Sequence, residues 1–454
     1  MKAIRKTEVD MTEGSTIRLL IGFAIPLLLG NLFQQLYNTV DTWVVGNFVG
    51  KTAFSAVGTL APVINMLIGL SVGFSNGASV VISQAFGAHD LEKVRKSTHT
   101  FVAVMLIMCV VLTVVGLALT PLMLKLIGSP EEVAKEQTIY LTIYFAGVTS
   151  LLVYNTGSSI LRAVGNSRYP LICLVVCAVA NIILDLVFVI VFHWGTAGVA
   201  WATVISQAIS GILVVIVLLR TDSSVKLDVH AIRIDRPLLK RIFTIGLPSA
   251  LQMSITAFSN VFVQSYIYQF GVDCMGGWTA YSKVDQLLFL PMQSLALAAT
   301  TFVGQNLGRG YKRRALKGTQ AAMNMSLIST ALLIIPIELF ATDIVTFFID
   351  SSELGVLEYG TLFLMWLTPF YLLCCANQVY GGALRGAGNS KAPMIVMLGS
   401  FVVFRQIYLF VMSRWISNTI LPIAMSYPAG WLVCSLAIYI MYRKTFKGFS
   451  EAKD

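Results

Sequence analysis

Six ionisable side chains stand within or at the edge of long apolar runs: Asp41, Asp185, Lys283, Asp285, Arg405 and Glu338. At bilayer depth a charged group costs about 2.5–3.5 kcal/mol even on lenient insertion scales, so each needs a partner, water or an ion. Asp41 ends a polar stripe in which Asn31, Gln34, Asn38 and Asp41 fall within about 80° of one another on a helix. Asn181 and Asp185 share a face at i, i+4, and Thr203, Gln207 and Ser210 share another. Two carboxylates, an amide and a hydroxyl make a hard-oxygen set suited to Na⁺. The same pair suits H⁺, since two desolvated carboxylates side by side readily hold a proton between them.

The elements that must position these groups follow from composition. The 454 residues are 56% hydrophobic and 12% charged, against roughly 25% charged in a soluble domain. Runs of about 20 apolar residues without period-2 alternation are membrane helices and not barrel strands. Six are expected at 17–48, 53–85, 100–122, 138–161, 170–192 and 196–219. Six more follow at 242–269, 276–304, 318–340, 356–383, 393–413 and 418–442. The first run is too long for a signal-peptide core and reads as an uncleaved span. The expected organisation is an N-terminal six-helix half at 1–219, a cytoplasmic linker at 220–240 and a C-terminal half at 241–454.

The net charge of +10 reflects sidedness and not nucleic acid. The termini, the linker and alternate loops carry 26 of the 32 basic residues, which puts both termini in the cytoplasm. Seven scattered cysteines and four separated histidines form neither a disulfide framework nor a metal motif.

LRAVGNSRYP from Leu161 and LRGAGNSKAP from Leu384 are near copies 223 residues apart. Pro26 matches Pro248, Asn38 matches Asn260, and Gln84 and Gly87 match Gln305 and Gly308. With six spans each, the halves run parallel about an axis along the membrane normal, with a central cavity. Gly165 and Gly388 suit helix C-termini, Arg162 and Arg385 complement the dipole, and Asn-Ser suits the next N-cap. Gly69, Gly73 and Gly77 permit close helix contact.

Depth ties the first polar set together. Asp41 lies about 23 residues along span 1, Asp185 roughly 22 Å into span 5 and Thr203 about 10 Å deep from the opposite side. All fall in the outer half of the membrane. Lys283 and Asp285 at i, i+2 face apart, so the expected partner of Asp285 is Arg405, in a buried structural ion pair. Glu338 is expected to be solvated at a helix end.

Twelve spans in two parallel halves, a proline-bearing first helix and duplicated LRxxGNS turns resemble the multidrug and toxic compound extrusion family over nearly the whole chain. That resemblance implies a secondary antiporter exporting amphipathic, often cationic, organic compounds by alternating access, driven by H⁺ or Na⁺. Asp41, Asn181, Asp185 and Thr203 stand at the coupling positions of its DinF-like branch, with Na⁺ one candidate occupant. The chain departs from the NorM-like branch, which has acids in spans 7 and 10. Here span 7 carries Gln252, Thr256, Ser259 and Asn260, and span 10 carries Asn377 and Gln378. Cargo is expected against Gln34, Tyr37, Asn38, Asn155, Gln207, Gln252, Thr256, Asn260 and Gln378. The expected setting is the inner membrane, with a monomer embedded in lipid, small organic molecules as substrates, no nucleic acid and no cofactor beyond the coupling ion. A flippase for lipid-linked precursors has the same architecture, but twelve spans and an acidic cavity argue against it. No His/Glu metal motif or Ser/Lys dyad supports an enzyme.

Overall fold

The structure is a computed structural model and describes residues 8–127, 131–348, 353–449 and 451. The sidedness tally's basic residues among 1–7, Lys453 and the side chain of Lys51 lie outside the described residues.

The described residues are helical apart from the stretch before Thr16 and short connections such as 221–235, in a multi-pass membrane protein. In order the spans are α1 Thr16–Val49, α2 Lys51–Gly87, α3 Leu91–Ile127, α4 Val133–Ala146 with Val148–Ala163, α5 Arg168–Val191 and α6 Gly195–Arg220. Then come α7 Arg236–Tyr268, α8 Val272–Arg309, α9 Lys312–Leu339, α10 Leu354–Gly386, α11 Lys391–Ile416 and α12 Ile420–Thr445. A short helix, Ala341–Phe348, precedes α10. Among the described residues eleven of these helices are long and apolar enough to cross a bilayer alone, and the two pieces of α4 make the twelfth. Side chains such as Val110, Val114 and Leu332 are more than 60% exposed, as lipid-facing positions must be.

The spans begin and end near their sequence limits, and three helices run unbroken through a proline. Helices α1, α7 and α8 run through Pro26, Pro248 and Pro291. The sharp bend is at Gly147, where the two pieces of α4 meet at 44°. A Cβ on Gly147 would lie 2.3 Å from Val204 Cγ1, so close approach to α6 fixes the bend. Its counterpart in α10 is a 3₁₀ turn, Thr368–Phe370, containing Pro369. Gly147 and Phe370 are separated by the repeat spacing, so the second half keeps the interruption with different residues.

The polypeptide forms two compact units. Unit 1 comprises Ile25–Gly246 and the segment ending at Asp10; unit 2 comprises Met11–Ala24 and the chain from Leu247 onward. The linker therefore packs with unit 1, and the unit boundary falls inside α1 and α7, each time beside the proline.

Within unit 1, α6 packs along α4 and α5. There α2 crosses the first turns of α7 at two glycines, where a Cβ on Gly77 would sit 2.2 Å from Gly246 Cα. Within unit 2, α8 is the central helix, with 72% of its apolar window buried against α9 and α10.

The duplicated turns behave as helix ends in both units. Gly165 and Gly388 take left-handed φ of 81° and 85°. Asn166 N–H reaches Leu161 O at 3.0 Å and Asn389 N–H reaches Leu384 O at 2.9 Å, closing the preceding helices. The next helices are capped by asparagine and not by serine. Asn166 Oδ1 accepts from Arg168 and Tyr169 N–H, both at 3.2 Å, and Asn389 Oδ1 from Ala392 N–H at 3.2 Å.

The described residues before α1, 8–15, are docked at several points. Val9 N–H donates to Val164 O at 2.9 Å, and Glu8 accepts from Ser224 N–H, both in unit 1. Met11 is fully buried in unit 2. Its N–H donates to Gln305 Oε1 at 2.8 Å, and its carbonyl accepts from Asn306 Nδ2 at 3.1 Å. In unit 1 the equivalent glutamine, Gln84, accepts from the Arg241 guanidinium at the start of α7.

Candidate functional site

The first-half set comes together on three helices. Asp41 is one turn before the π-helical end of α1, and its side-chain neighbours are Asp185 and Asn181 of α5 and Thr203 of α6. Asn181 and Asp185 are fully buried and Thr203 is 6% exposed. The helices that carry them are held by apolar neighbours one turn away. Val44, Val45, Leu60, Tyr140, Tyr144, Val199 and Ala200 form one core with Leu186 against it, closing over one end of the polar group.

The set is rich in oxygen and poor in hydrogens. Asp41 Oδ1, both carboxylate oxygens of Asp185 and both polar atoms of the Asn181 amide are buried without a hydrogen-bond partner. Buried polar groups are ordinarily satisfied. Thr203 spends its hydroxyl hydrogen on Val199 O at 3.0 Å, so it turns lone pairs toward the acids. Lone pairs facing carboxylates repel unless a cation or a carboxyl proton lies between them. Among the described residues no group of three or more acidic, histidine or cysteine side chains is placed to hold a metal ion.

Tyr37 is buried beside Asp41, and Tyr140 lies near both aspartates. Tyr140 and Tyr144 were not anticipated. Their i, i+4 spacing in an apolar stretch was the available signal.

The residues expected to meet cargo divide by their engagement. Asn38 is exposed and Gln34 and Gln207 are half-buried in unit 1. Asn155 is already committed, donating to Ser71 Oγ at 3.2 Å. In unit 2 Thr256 and Gln378 are half-buried. Gln252 donates to Met397 Sδ at 2.9 Å, and Asn260 Oδ1 accepts from Arg405 Nη2 at 2.7 Å.

The expected Asp285–Arg405 ion pair does not form. Among the described residues neither side chain takes part in any salt bridge. Arg405 is 3% exposed and gives Nη2 to Asn260, with its guanidinium 4.9 Å over the Tyr427 ring. Asp285 accepts from the Tyr371 hydroxyl. The two charges were captured separately because aromatic side chains of α10 and α12 reach them first. Glu338 meets its expectation only in part: the residue is half-buried, and its Oε1 is buried without a partner.

Known proteins place this architecture. The family model MatE matches residues 26–187 and 247–411. Those two segments take in the acid pair and its neighbours in unit 1 up to Val187, and Asp285, Tyr371 and Arg405 in unit 2. A probable multidrug resistance protein of Bacillus subtilis, YpnP, is 28% identical over 97% of this chain and 99% of its own. A probable multidrug resistance protein of Thermotoga maritima, NorM, is 27% identical over 94% of this chain and 90% of its own. In fold, a MOP superfamily transporter from Pyrococcus furiosus superposes with a TM-score of 0.93 at 21% identity, over 99% of this chain and 100% of that one. With both repeats matched and the fold shared, the chain belongs to the MatE family of multidrug and toxic compound extrusion transporters.

Proposed function

We propose that this transporter is a cation-coupled antiporter of the cell membrane, exporting amphipathic organic compounds in exchange for inward H⁺ or Na⁺. Asp41 and Asp185 take the coupling cation, with Asn181 and Thr203 as neutral oxygen donors. The observation that carries this reading is the convergence of two carboxylates, Asp185 fully buried and Asp41 half-buried, with three of their four oxygens buried without a partner, beside a hydroxyl that offers only lone pairs. Such a group costs several kcal/mol to keep in a bilayer and is relieved by one monovalent cation or one proton. The names of the relatives, among them multidrug resistance proteins, support an organic cargo.

In this reading Gln34 and Asn38 give cargo a polar face on α1, one to two turns from Asp41. Occupation of the acid pair by the cation competes with cargo on that helix, and alternating access carries the two in opposite directions. Both termini face the cytoplasm, as the basic loops require.

The test is ethidium export from proteoliposomes with pH and Na⁺ gradients imposed independently. Asp41→Asn and Asp185→Asn are expected to abolish gradient-driven export while the protein still inserts and melts normally. Unchanged export by the double variant refutes the assignment.

A further inference from the structure

Unit 2 holds a second buried acid that the coupling pair does not account for. Asp285 stands on α8 with Tyr281 one turn before it on the same face. Tyr371 joins them from α10, immediately after the Thr368–Phe370 turn. The Tyr371 hydroxyl donates to Asp285 Oδ1, which leaves the Tyr371 oxygen to accept from Tyr281 at 2.8 Å. The hydroxyls thus form a donor chain ending on the carboxylate. Tyr281 is 2% exposed and Tyr371 is fully buried. Trp278 lies 4.8 Å from Tyr281, and Trp431 4.9 Å from Tyr371, ring against ring. Asp285 itself is half-buried.

The charge of Asp285 is answered by nothing nearby. The titratable groups around it are Tyr281 and Lys283 on its own helix, Tyr371 and Cys374 on α10, Arg405 on α11 and Tyr427 on α12. Lys283 points to another face two residues away, and Arg405 is held by Asn260 and Tyr427. Among the described residues no cation lies within ion-pair distance. A metal cation is a poor occupant, because the Tyr371 hydroxyl presents its hydrogen to the carboxylate and the Tyr281 hydroxyl spends its own on Tyr371. The one species small enough to neutralise Asp285 in place is a proton.

We propose that Asp285 is a second proton-binding site, which cycles between ionised and protonated forms during transport. The proposal rests on the reading of the chain as a cation-coupled exporter. On protonation the carboxylate takes H⁺ from water to become a neutral acid, and no other bond is made or broken. The Tyr371 hydroxyl then loses an anionic acceptor for a neutral one, weakening the link between α8 and α10 next to the 3₁₀ turn of α10. Uptake of a proton in unit 2 is thereby transmitted to the one interruption in that helix.

Infrared difference spectroscopy of the full-length protein in lipid, titrated from acid to alkaline pH, reads the site directly. We expect a protonated-carboxyl band that is absent in Asp285→Asn and retained in the Asp41→Asn/Asp185→Asn double variant. Tyr371→Phe should shift its frequency, because the carboxyl loses the hydroxyl it faces. Asp285→Asn should also lose export of ethidium driven by a pH gradient. A spectrum unchanged by Asp285→Asn, or wild-type export by that variant, overturns the proposal. The band is read whether or not ethidium is exported, so failure of the coupling-pair assignment shows up separately.

Discussion

Replacing Thr203 by valine removes one oxygen from the Asp41–Asp185 group while nearly conserving volume. The hydroxyl hydrogen serves only Val199 O, 3.0 Å away in the same helix, and that carbonyl keeps its backbone N–H partner. The cost to folding is therefore the small net value of one hydrogen bond, about 0.5–1.5 kcal/mol. The functional cost depends on the ion. An oxygen contact to a full charge contributes about 1.5–3 kcal/mol, so the Na⁺ concentration for half-maximal export should rise about 10- to 150-fold. A proton makes a smaller demand, because Thr203 then accepts from a neutral carboxyl. That contact is worth about 0.5–1.5 kcal/mol, which corresponds to about 2- to 10-fold in H⁺ concentration. Ethidium export from proteoliposomes, measured against Na⁺ at fixed pH and against pH without Na⁺, separates the two. If Thr203→Val melts like the wild type and neither dependence moves by as much as about 2-fold, the Thr203 oxygen is no part of the site and the argument from its lone pairs fails.

Three further outcomes follow from the packing. Gly77→Ala puts a methyl group against the Gly246 backbone, 2.2 Å from its Cα. It should lower stability by about 1–3 kcal/mol, seen as a reduced melting temperature in detergent; an unchanged melt contradicts the close crossing. Asn166→Ala should cost about 1 kcal/mol as a lost helix cap, with Ser167→Ala close to neutral. Equal effects in thermal melts would mean that serine shares the cap. Arg314 Nη2 donates to Gly14 O at 2.8 Å, so Arg314→Ala should speed limited proteolysis near the start of α1, with cleavage rates by mass spectrometry as the measure.

The spans were legible because apolar runs have a length that the bilayer dictates. The first-half acid group was legible too, since Asp41, Asn181, Asp185 and Thr203 are costly at the depth that helical rise assigns them. Where reasoning by residue type fell short, a neighbour decided the matter. The bend of α4 at Gly147 had no signal in residue type, because it comes from the close approach of Val204 on α6. Asn166 caps in place of Ser167, since the left-handed Gly165 turns its side chain onto the next amides. The pairing of Asp285 with Arg405 failed for a different reason. Repeat correspondence says which helices are neighbours but not how each is rotated, and the rotation gives Asp285 to Tyr371. Tyr281, at i−4 from Asp285, was a sign of that aromatic face.

The docking of Met11 has a bearing on how the protein is made. Its partner Gln305 lies 294 residues further along. At about 5–20 residues per second of synthesis, the segment leading into α1 waits roughly 15–60 s for the helix that will hold it. During that interval unit 1, which ends at Gly246, can complete, whereas Met11–Ala24, synthesised near the start, belong to the unit that folds last. A ribosome-bound intermediate stalled before α8 should therefore expose residues 11–24 even with the six spans α2 to α7 already synthesised. Chaperones and insertion machinery would meet this transporter with residues 11–24 still unfastened.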